Sequence, residues 1–577
     1  MDEVRLKCDV LVIGSGAAGC RAAIEASEHS ADVILTAKGV FGKSGTTNLA
    51  CVVYDAALGH SDPNDSPQIH FEDSVVYSRF LANQELVRIF TWGAPKTVYD
   101  LERYGLPWYK TEDGRFYQLN SPGLRYNRGV HYNESTGKKV QTALVRELRR
   151  PSRRNVRIVE DLFIYRLLMR DGRVNGAVGF DLQQDRFFVI QAGSTILATG
   201  GMGMAYSVTD MEAGACGDGL YLAYEAGADL MDMEMHQFFP TAFVYPESLR
   251  GVIVTSSQLW KMGMKLYNDR GERFMARHFP DECEDVPRDI LSRRIFMEVA
   301  EGRGSPHGGV WADTTDIPAF DDFKKDRPRT YVWKEKFGVK TDRFEVAPTY
   351  HYTLGGIRID AGARTKVPGL FAAGEVTGGI HGANRLAGNA LPECMVFGEI
   401  AGNNATAECR TELPPDEQQV AMAKSKVLEL VSGGEAGEIP YASIFKRTRR
   451  LLYDKAGIIR TGESLKEAAR EIEEIKGLLP RLRSGAGLSG KFAMARALET
   501  EMIVRLGELV INSSLMRTES RGAHFRTDFP ETSPAWLKNI VVHWTGEEAR
   551  YTTTPVELKY LKPGEALRDV KSANLSV

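Results

Sequence analysis

Apolar runs that end in glycine-rich turns dominate the first part of the chain. Residues 8–13 are apolar except for Asp9, and the turn Gly14-Ser15-Gly16-Ala17-Ala18-Gly19 follows them directly. A short apolar run that ends in glycine predicts a buried strand, and the alanine-rich stretch after it predicts a helix. The pattern therefore predicts a strand–turn–helix unit, and a second apolar run at 31–35 predicts the next strand.

Two further apolar runs end in glycine turns much later in the chain. One is Thr195–Gly201, which leads to Gly217-Asp218-Gly219 at the start of an apolar helix, and the other is Gly369–Glu375. Three strand–glycine elements that lie this far apart predict one α/β domain assembled from distant segments. A long insertion separates the second element from the third.

The spacing of apolar residues becomes helical after residue 405 and strand-like again near the end. The predicted helices are 427–431, 464–479 and 492–511. The predicted strands of the tail are 540–544 and 551–554, which are rich in β-branched and aromatic residues.

Length, charge and hydropathy limit the class of protein. The 577 residues suffice for about three or four domains. A net charge of −3 gives no attraction to nucleic acid or to anionic lipid. Because no run of 18 apolar residues exists, we expect a cytoplasmic protein that reaches a membrane only through a partner.

The seven cysteines contain no C-x-x-C pair and no group with the spacing of metal ligands. We therefore expect no metal site in this chain. If the chain holds a redox cofactor, its electrons would pass to a soluble reagent or to a partner protein.

The first turn has the G-x-G-x-x-G pattern of dinucleotide-binding proteins. Gly14 would allow the tight turn, Gly16 would let the backbone approach a pyrophosphate, and Gly19 would let helix and strand pack closely. The second strand ends in Thr36-Ala37-Lys38 and lacks the acidic residue of the usual NAD fingerprint. The small, polar loop 42–47 has the composition of a segment that passes close to a cofactor, although surface loops share it.

Longer motifs follow one another in an informative order. They are Ala198-Thr199-Gly200-Gly201, Gly217-Asp218-Gly219, Met233–Phe238, Arg270–Phe274, Pro287-Arg288-Asp289, His351–Gly356, Gly374-Glu375-Val376, Gly382–Asn389 and Arg517–Asp528. Together with the first turn, they resemble the flavoprotein subunit family of succinate dehydrogenase, fumarate reductase and L-aspartate oxidase. The resemblance covers nearly the whole chain.

This resemblance implies a fold and a set of domain limits. It implies an α/β FAD-binding domain of Rossmann-like, glutathione-reductase type with an inserted α+β capping domain, a C-terminal helical domain and a small C-terminal β region. The implied limits are 1–229 and 351–405 for the FAD-binding domain, 230–350 for the capping domain, 406–530 for the helical domain and 531–577 for the C-terminal region.

The resemblance also implies an activity. The chain would be an FAD-dependent oxidoreductase that interconverts a saturated and an unsaturated carboxylic acid, with hydride transfer at flavin N5 and an arginine as acid or base. It would act as the flavin subunit of an electron-transfer complex whose iron–sulfur clusters lie only in a partner subunit. The implied catalytic residues are Arg288, His351 and Arg385. The implied substrate-binding residues are Phe239, Thr241, Thr255, Ser256, His351 and Arg385.

The resemblance implies the cofactor contacts as well, with Asn389, Ala390 and Leu391 beside the isoalloxazine. The residues implied to bind FAD are Gly14, Gly16, Ala17, Ala18, Gly19, Lys38, Ser44, Gly45, Thr46, Thr199, Gly200, Asp218, Glu375, Asn389, Ala390 and Leu391. No residue is expected to bind a metal.

Two departures from the family pattern affect the cofactor and the substrate. Succinate dehydrogenases carry a histidine that bonds FAD covalently where this chain has Gly45. Glycine has no nucleophile, so we expect noncovalent FAD. The family's substrate-binding His-Pro-Thr is Phe239-Pro240-Thr241 here. A carboxylate that loses one such donor binds about ten- to a hundred-fold less tightly.

A third departure affects the proton supply. The family's Thr-Glu-x-x-Arg relay is Thr255-Ser256-Ser257-Gln258-Leu259 in this chain, so the glutamate and the arginine are both missing. Lys261, Glu247 or His236 would be alternative proton donors, and the sequence does not choose among them.

Three functions therefore remain open. The first is the fumarate/succinate type of reaction. The second keeps the fold but changes the substrate to a larger carboxylic acid, an amino acid or a sulfur compound. The third is an electron-relay flavoprotein without catalysis of its own. Retention of His351 and Arg385 favours a carboxylate substrate.

Overall fold

The structure is a computed structural model that describes the chain except for residues 52, 122, 255–257, 318–335, 340–341, 431–437, 484–489 and 566–577. Its strands are β1 Asp2–Ile13, β2 Val33–Thr36, β3 Val53–Asp55, β4 Gln118–Leu119, β5 Gly129–His131, β6 Val156–Val159, β7 Leu162–Arg170, β8 Arg173–Asp181, β9 Arg186–Leu197, β10 Leu230–Met231, β11 His236–Phe243, β12 Lys265–Tyr267, β13 Val310–Asp313, β14 Arg343–Thr353, β15 Gly356–Arg358, β16 Leu370–Ala372, β17 Thr377–Gly378, β18 Ile439–Pro440, β19 Leu482–Arg483, β20 Lys538–Trp544 and β21 Ala549–Pro555.

The α-helices alternate with these strands in the first half of the chain and dominate residues 390–516. They are α1 Ala17–Glu28, α2 Pro67–Tyr77, α3 Gln84–Arg103, α4 Thr136–Leu148, α5 Asp218–Glu225, α6 Gln258–Lys261, α7 Phe274–His278, α8 Arg288–Ala300, α9 Ala390–Ala407, α10 Glu417–Glu429, α11 Tyr441–Lys455, α12 Gly462–Leu478 and α13 Gly490–Met516.

The main sheet has seven strands and is assembled from distant segments, as the sequence predicted. Its order is β6-β2-β1-β9-β8-β7, and β16 pairs with the last three residues of β9. The pairs β1–β2, β1–β9, β2–β6 and β9–β16 are parallel, and β7 and β8 are antiparallel. Parallel strands need both faces covered. Helix α1 packs against α9 beside this sheet, and buried alanines and valines fill the space.

A second sheet belongs to the long insertion between β9 and β16. Its order is β11-β14-β13-β12, all antiparallel, and α8 packs against β11 and β14. The insertion has a hydrophobic core of its own, built around Phe239, Phe243, Leu266, Leu291 and Val346. The domain limits drawn from the sequence stay a prediction, and the structure puts the one at 350 inside the continuous strand β14.

The predicted C-terminal strands are confirmed, but they are not a separate unit. Strands β20 and β21 extend a five-stranded sheet in the order β17-β15-β10-β20-β21. Three of its strands therefore come from 230–378, next to the cofactor-binding segments. The predicted helices of 464–479 and 492–511 are confirmed as α12 and α13, which pack against each other and against α11.

Arg517, just after α13, fixes the C-terminal segment to this sheet. Its buried guanidinium donates to Glu234 at 2.7 Å and to Glu519 at 3.1 Å. It also donates to the carbonyl oxygens of Trp536 and Lys538.

Among the described residues, no helix combines the length and the apolar composition that crossing a bilayer requires.

Candidate active site

One cavity of about 630 Å³ contains most of the residues that the sequence singled out. The predicted cofactor residues that line it are Gly14, Gly16, Ala17, Ala18, Lys38, Ser44, Gly45, Thr46, Thr199, Gly200, Asp218, Glu375, Ala390 and Leu391. The predicted substrate residues that line it are Phe239, Arg288, His351 and Arg385. The structure therefore brings the two predicted sets together.

Three of the predicted residues that the structure describes do not line this cavity. Gly19 lies behind the first turn, where an added Cβ would lie 1.8 Å from Gly14 O. Thr241 is buried in β11, and its carbonyl accepts from the Val254 N–H. The side chain of Asn389 contacts His70 and Ser74 instead. Thr255 and Ser256 lie outside the described residues.

The first glycine turn has the geometry that a phosphate-binding turn requires. Gly14 has φ = 108°, and an added Cβ would lie 2.2 Å from Ala198 O. Gly16 precedes α1, which begins at Ala17, so the first N–H groups of this helix have no partner within it. One of them, on Ala17, donates to Thr47 Oγ1 at 3.0 Å. Such a helix end attracts anions.

Unpartnered polar atoms mark the same part of the cavity. Thr199 Oγ1 and Asp218 Oδ1 are buried and have no hydrogen-bond partner among the described residues. A buried polar atom without a partner is costly, so these atoms indicate a polar ligand. Together with the open glycine turns, they fit the hydroxyl and phosphate groups of FAD.

Lys38 has a structural role beside these atoms. Its Nζ donates to Asp218, to Glu499 at 2.8 Å and to Gly214 O at 2.6 Å. Cys216, Asp218 and Glu499 would be close enough to share a metal ion. The ammonium of Lys38 bonds to both carboxylates and supplies one positive charge between them. The expectation that no residue binds a metal stays a prediction.

Gly45 faces open space. Its φ is 92°, and an added Cβ would meet no atom within 4 Å. The short helical turn Thr46–Leu49 follows it directly and supplies the Thr47 hydroxyl. A histidine at this position would have room, but its backbone would be strained because side chains other than glycine disfavour positive φ.

Glu375 closes the other side of the cofactor region. Its Oε1 accepts from the Thr353 N–H at 3.0 Å. Burial raises the pKa of this carboxyl to about 7. Near neutral pH it is therefore able to donate or accept a hydrogen bond, which suits contact with a ligand hydroxyl.

Arg288 is the first residue of α8 and is held beside the cavity by its neighbours. Its Nη1 donates to Gln237 Oε1 at 3.2 Å, and its guanidinium lies 5.0 Å from the centre of the Phe239 ring. Its Nε is buried and has no partner among the described residues. Burial, and then the charge of Arg385, lower the pKa of Arg288 to about 9. The positive end of α8 opposes its charge further.

Arg385, His351 and Asp210 form a hydrogen-bonded row. Arg385 Nη2 lies 3.0 Å from His351 Nε2, and His351 Nδ1 lies 2.7 Å from Asp210 Oδ2. The guanidinium of Arg385 also lies 4.5 Å from the centre of the Tyr352 ring. Burial lowers the pKa of His351, while the charge of Asp210 opposes this shift.

Phe239 gives the substrate region an aromatic side. Its ring lies 5.3 Å from the His351 ring and 5.8 Å from the Trp260 ring, measured between centroids. The side chain is buried, and it also belongs to the separate core of the insertion. The substitution that the sequence identified thus replaces a hydrogen-bond donor with an apolar surface.

The structure describes the surroundings of two of the three alternative proton donors. His236 is fully buried, and its ring nitrogens contact Met233 O at 2.8 Å and Tyr350 Oη at 3.0 Å. Glu247 is exposed and pairs with Arg250. Neither residue lines the cavity. The side chain of Lys261 lies outside the described residues.

Sequence reasoning missed two residues that the geometry brings to the site. Asp210 contacts His351, and Gln237 connects Arg288 with Asn384 Oδ1 and Arg385 O. Gln237 lies in a motif that was noted as a whole. Asp210 lies in a short polar loop between two glycine turns, and that position was the only signal available.

Comparison with known proteins adds the family. Sequences described as "FAD binding domain" match residues 9–391, and those described as "Fumarate reductase flavoprotein C-term" match residues 446–567. The chain is 39% identical over 550 residues to a fumarate reductase (CoM/CoB) subunit of Methanothermobacter marburgensis, covering 94% of this chain and 98% of that one. It is 30% identical to the mitochondrial succinate dehydrogenase [ubiquinone] flavoprotein subunit of Oryza sativa, covering 96% and 90%. Mycobacterium smegmatis Sdh1 in complex with UQ1 is similar in structure, with a TM-score of 0.87, 34% identity and 98% and 96% coverage.

Proposed function

Because the chain belongs to the fumarate reductase and succinate dehydrogenase family of FAD-dependent flavoproteins, we propose that it interconverts an unsaturated and a saturated dicarboxylic acid of the fumarate/succinate type. One observation carries this proposal. Arg288, His351 and Arg385 line the same cavity as the glycine turns that fit FAD. Three basic groups at one end of such a cavity suit an acid with two carboxylates.

FAD would be held by the first glycine turn, by the polar atoms of Thr199 and Asp218, and by Glu375. When bound, it supplies or accepts the hydride. The chain's own residues would bind the acid, orient it and move a proton. We propose that FAD is noncovalent, because Gly45 has no side chain to bond it.

Arg288 is proposed as the proton donor during reduction and the acceptor during oxidation. An ordinary guanidinium holds its proton too firmly for this role. Burial and the nearby Arg385 weaken that hold, and the pKa of about 9 comes close to the range in which an acid works efficiently. Gln237 Oε1 accepts from Nη1 and holds the guanidinium in place while Arg288 transfers its proton.

His351 and Arg385 are proposed to bind a carboxylate. A guanidinium binds carboxylates through paired N–H groups, and Arg385 is held in place by the Tyr352 ring. In the structure its Nη2 bonds to His351, so an incoming carboxylate would take over part of that contact. Both groups polarise the double bond by stabilising negative charge on the carboxylate.

A larger carboxylic acid is a second candidate, and Phe239 is the observation that favours it. Phe239 lines the cavity with apolar surface where the family pattern has a hydrogen-bond donor, and its ring packs against Trp260. An acid with an alkyl or aryl substituent would bury that substituent here, and each buried methylene contributes about 0.8 kcal/mol.

Reoxidation of the reduced holoprotein distinguishes these candidates. We would reduce the flavin anaerobically and mix it in a stopped-flow instrument with fumarate, with alkyl- and aryl-substituted unsaturated acids, or with buffer. Fast reoxidation by fumarate supports the first candidate, and a preference for substituted acids supports the second. If no acid oxidises the flavin faster than buffer does, the proposal is wrong and an electron-relay role takes its place.

Two variants test the assigned roles in that assay. Arg288→Gln should keep FAD and acid binding but slow turnover by about 10²–10⁴-fold, because general acid–base catalysis is worth that much. Arg385→Ala should weaken acid binding as well as turnover, because it removes a carboxylate contact. Full turnover by Arg288→Gln would contradict the mechanism.

We also propose an iron–sulfur partner subunit. The seven cysteines are free in the structure and show no ligand spacing, while the similar flavoproteins named above are described as subunits. Gentle anaerobic purification should recover a brown complex. A fully active chain that carries flavin alone would contradict this part of the proposal.

A further inference from the structure

Asp210 lies in the loop between β9 and α5 and contacts a residue assigned to substrate binding. Its Oδ2 is 2.7 Å from His351 Nδ1. Its Oδ1 is buried and has no hydrogen-bond partner among the described residues. Only 7% of the Asp210 side chain is exposed, and the residue lines the cavity with His351. A carboxylate this close must influence how many protons the histidine holds.

The hydrogen bonds define the proton on His351 before an acid binds. Arg385 has only donors, so His351 Nε2 must accept from Arg385 Nη2 at 3.0 Å. The ring proton is then on Nδ1 and is donated to Asp210 Oδ2. His351 is neutral in this arrangement, and Asp210 is a charged acceptor.

A bound carboxylate reverses what Nε2 has to do. An ionised carboxylate has only acceptors, so Nε2 needs a proton of its own to donate to it. His351 would then be an imidazolium with protons on both nitrogens. Asp210 is in position to stabilise that cation, because Nδ1 keeps its bond to Oδ2.

Resting on the proposed function, we infer that the Asp210–His351 pair takes up one proton from solvent when a substrate carboxylate binds. The formal charges agree with this. Arg288, Arg385 and Asp210 together carry a single positive charge, so a dianionic acid leaves one negative charge in excess. One proton on His351 restores neutrality. Asp210 is thus a positioning residue that stabilises the His351 cation.

Other titratable groups face His351, and the experiment has to distinguish their protonation from that of His351. Arg288 and Arg385 approach it from α8 and from the loop before α9, and Glu375 lies on the cofactor side. The pKa of Arg288, lowered to about 9 by burial and Arg385, puts its titration above neutral pH. Burial raises the pKa of Glu375 to about 7, so Glu375 would also be able to take up a proton. Variants of the pair itself are therefore required.

The test uses FAD-loaded protein and malonate, a dicarboxylate that cannot form a double bond between its carboxyl groups. Isothermal titration in buffers of different ionisation enthalpy counts the protons taken up on binding. At about neutral pH we expect close to one proton per malonate in the wild type. The dissociation constant should rise about tenfold per pH unit where this uptake controls binding.

Asp210→Asn and His351→Asn should each lose most of this proton uptake and flatten the pH dependence. Glu212→Gln is the matched control, because it removes a carboxylate from the same loop whose bond goes to Gly214 N and not to His351. The control should keep the uptake. Full uptake by either pair variant would overturn the inference, and so would malonate binding to the wild type without uptake. No malonate binding at all would contradict the proposed function itself.

Discussion

Arg288 combines an unusual environment with a role that depends on its proton. If Arg288 supplies the proton as proposed, reduction needs its charged form, which is lost as the pH rises through its pKa of about 9. Oxidation needs the form that has released its proton, which appears over the same range. We therefore predict that kcat/KM for the reducing direction falls above about pH 9 while kcat/KM for the oxidising direction rises. Profiles measured in both directions check this, and a fall in both would contradict it.

Phe239 is the residue on which the two proposed substrate classes differ. Phe239→His restores a donor beside Arg288 and His351, and one added charge-assisted hydrogen bond is worth about 1.5–3 kcal/mol. If the substrate is fumarate or succinate, we predict that KM falls about ten-fold or more. If the substrate is larger, the KM of C4 acids should stay high, and the KM of the natural acid should rise. Phe239→Leu is the control, since it changes the shape without adding a donor.

Asp55 is a buried carboxyl that does not line the cavity, and its oxygens have no hydrogen-bond partner among the described residues. Burial raises its pKa to about 8. The unfolded chain has an ordinary carboxyl, so between about pH 4 and 8 unfolding releases a proton, and stability falls as the pH rises. An amide in its place has no such proton to release. We predict that the Tm of Asp55→Asn, relative to wild type, increases from about pH 5 to pH 8. A difference that does not vary with pH would contradict this.

The first strand–turn–helix element leaves no room for a side chain at Gly14. In Gly14→Ala the new Cβ would lie 2.2 Å from Ala198 O on the neighbouring strand, at φ = 108°. We predict loss of FAD from the purified protein, measured as flavin per chain after gel filtration. Gly172→Ala is the matched control, because Gly172 also has positive φ, at 73°, but open space around it. It should keep its FAD and cost about 1–2 kcal/mol of stability.

Apolar patterning predicted the strand segments that are buried on both faces. It did not predict segments that form because they pair with a neighbouring strand. The apolar run at 8–13 predicted only the second half of β1. Its first half is polar and forms because it pairs with β9 from Asp2 onward. The tail strands were predicted from residue type, but the pairing of β20 with β10 was not, because these two strands lie far apart in the chain. Sequence patterns report local burial, and sheet partners depend on the whole fold.

The site shows the same division between local motif and distant contact. Motif positions such as Arg288 and His351 were predicted, since each lies in a distinctive local sequence. Asp210 was missed because its contact is with His351, which is 141 positions away in the chain. Asn389 was assigned to the cofactor, but its amide is engaged by His70 and Ser74.

At the scale of the whole molecule, Arg517 joins the helical region to the five-stranded sheet. Removing one partner of a fully buried ion pair costs about 3–5 kcal/mol, because the remaining charges stay buried. We predict that Arg517→Met lowers the Tm and the urea midpoint strongly. Arg447→Met, which breaks the exposed pair with Glu471, should cost less than about 1 kcal/mol. Equal effects of the two substitutions would contradict this ranking.

The dispersed origin of the main sheet has a consequence for biosynthesis. The first turn is made early, but β16 and α9, which complete the sheet and cover α1, come only at 370–407. At about 5–20 residues per second, a ribosome needs on the order of 20–75 s to travel from Gly14 to Leu391. We therefore expect the nascent chain to lack a complete cofactor site for that time. A fragment ending at 229 should retain no FAD, and newly made protein should depend on chaperones until translation is nearly complete.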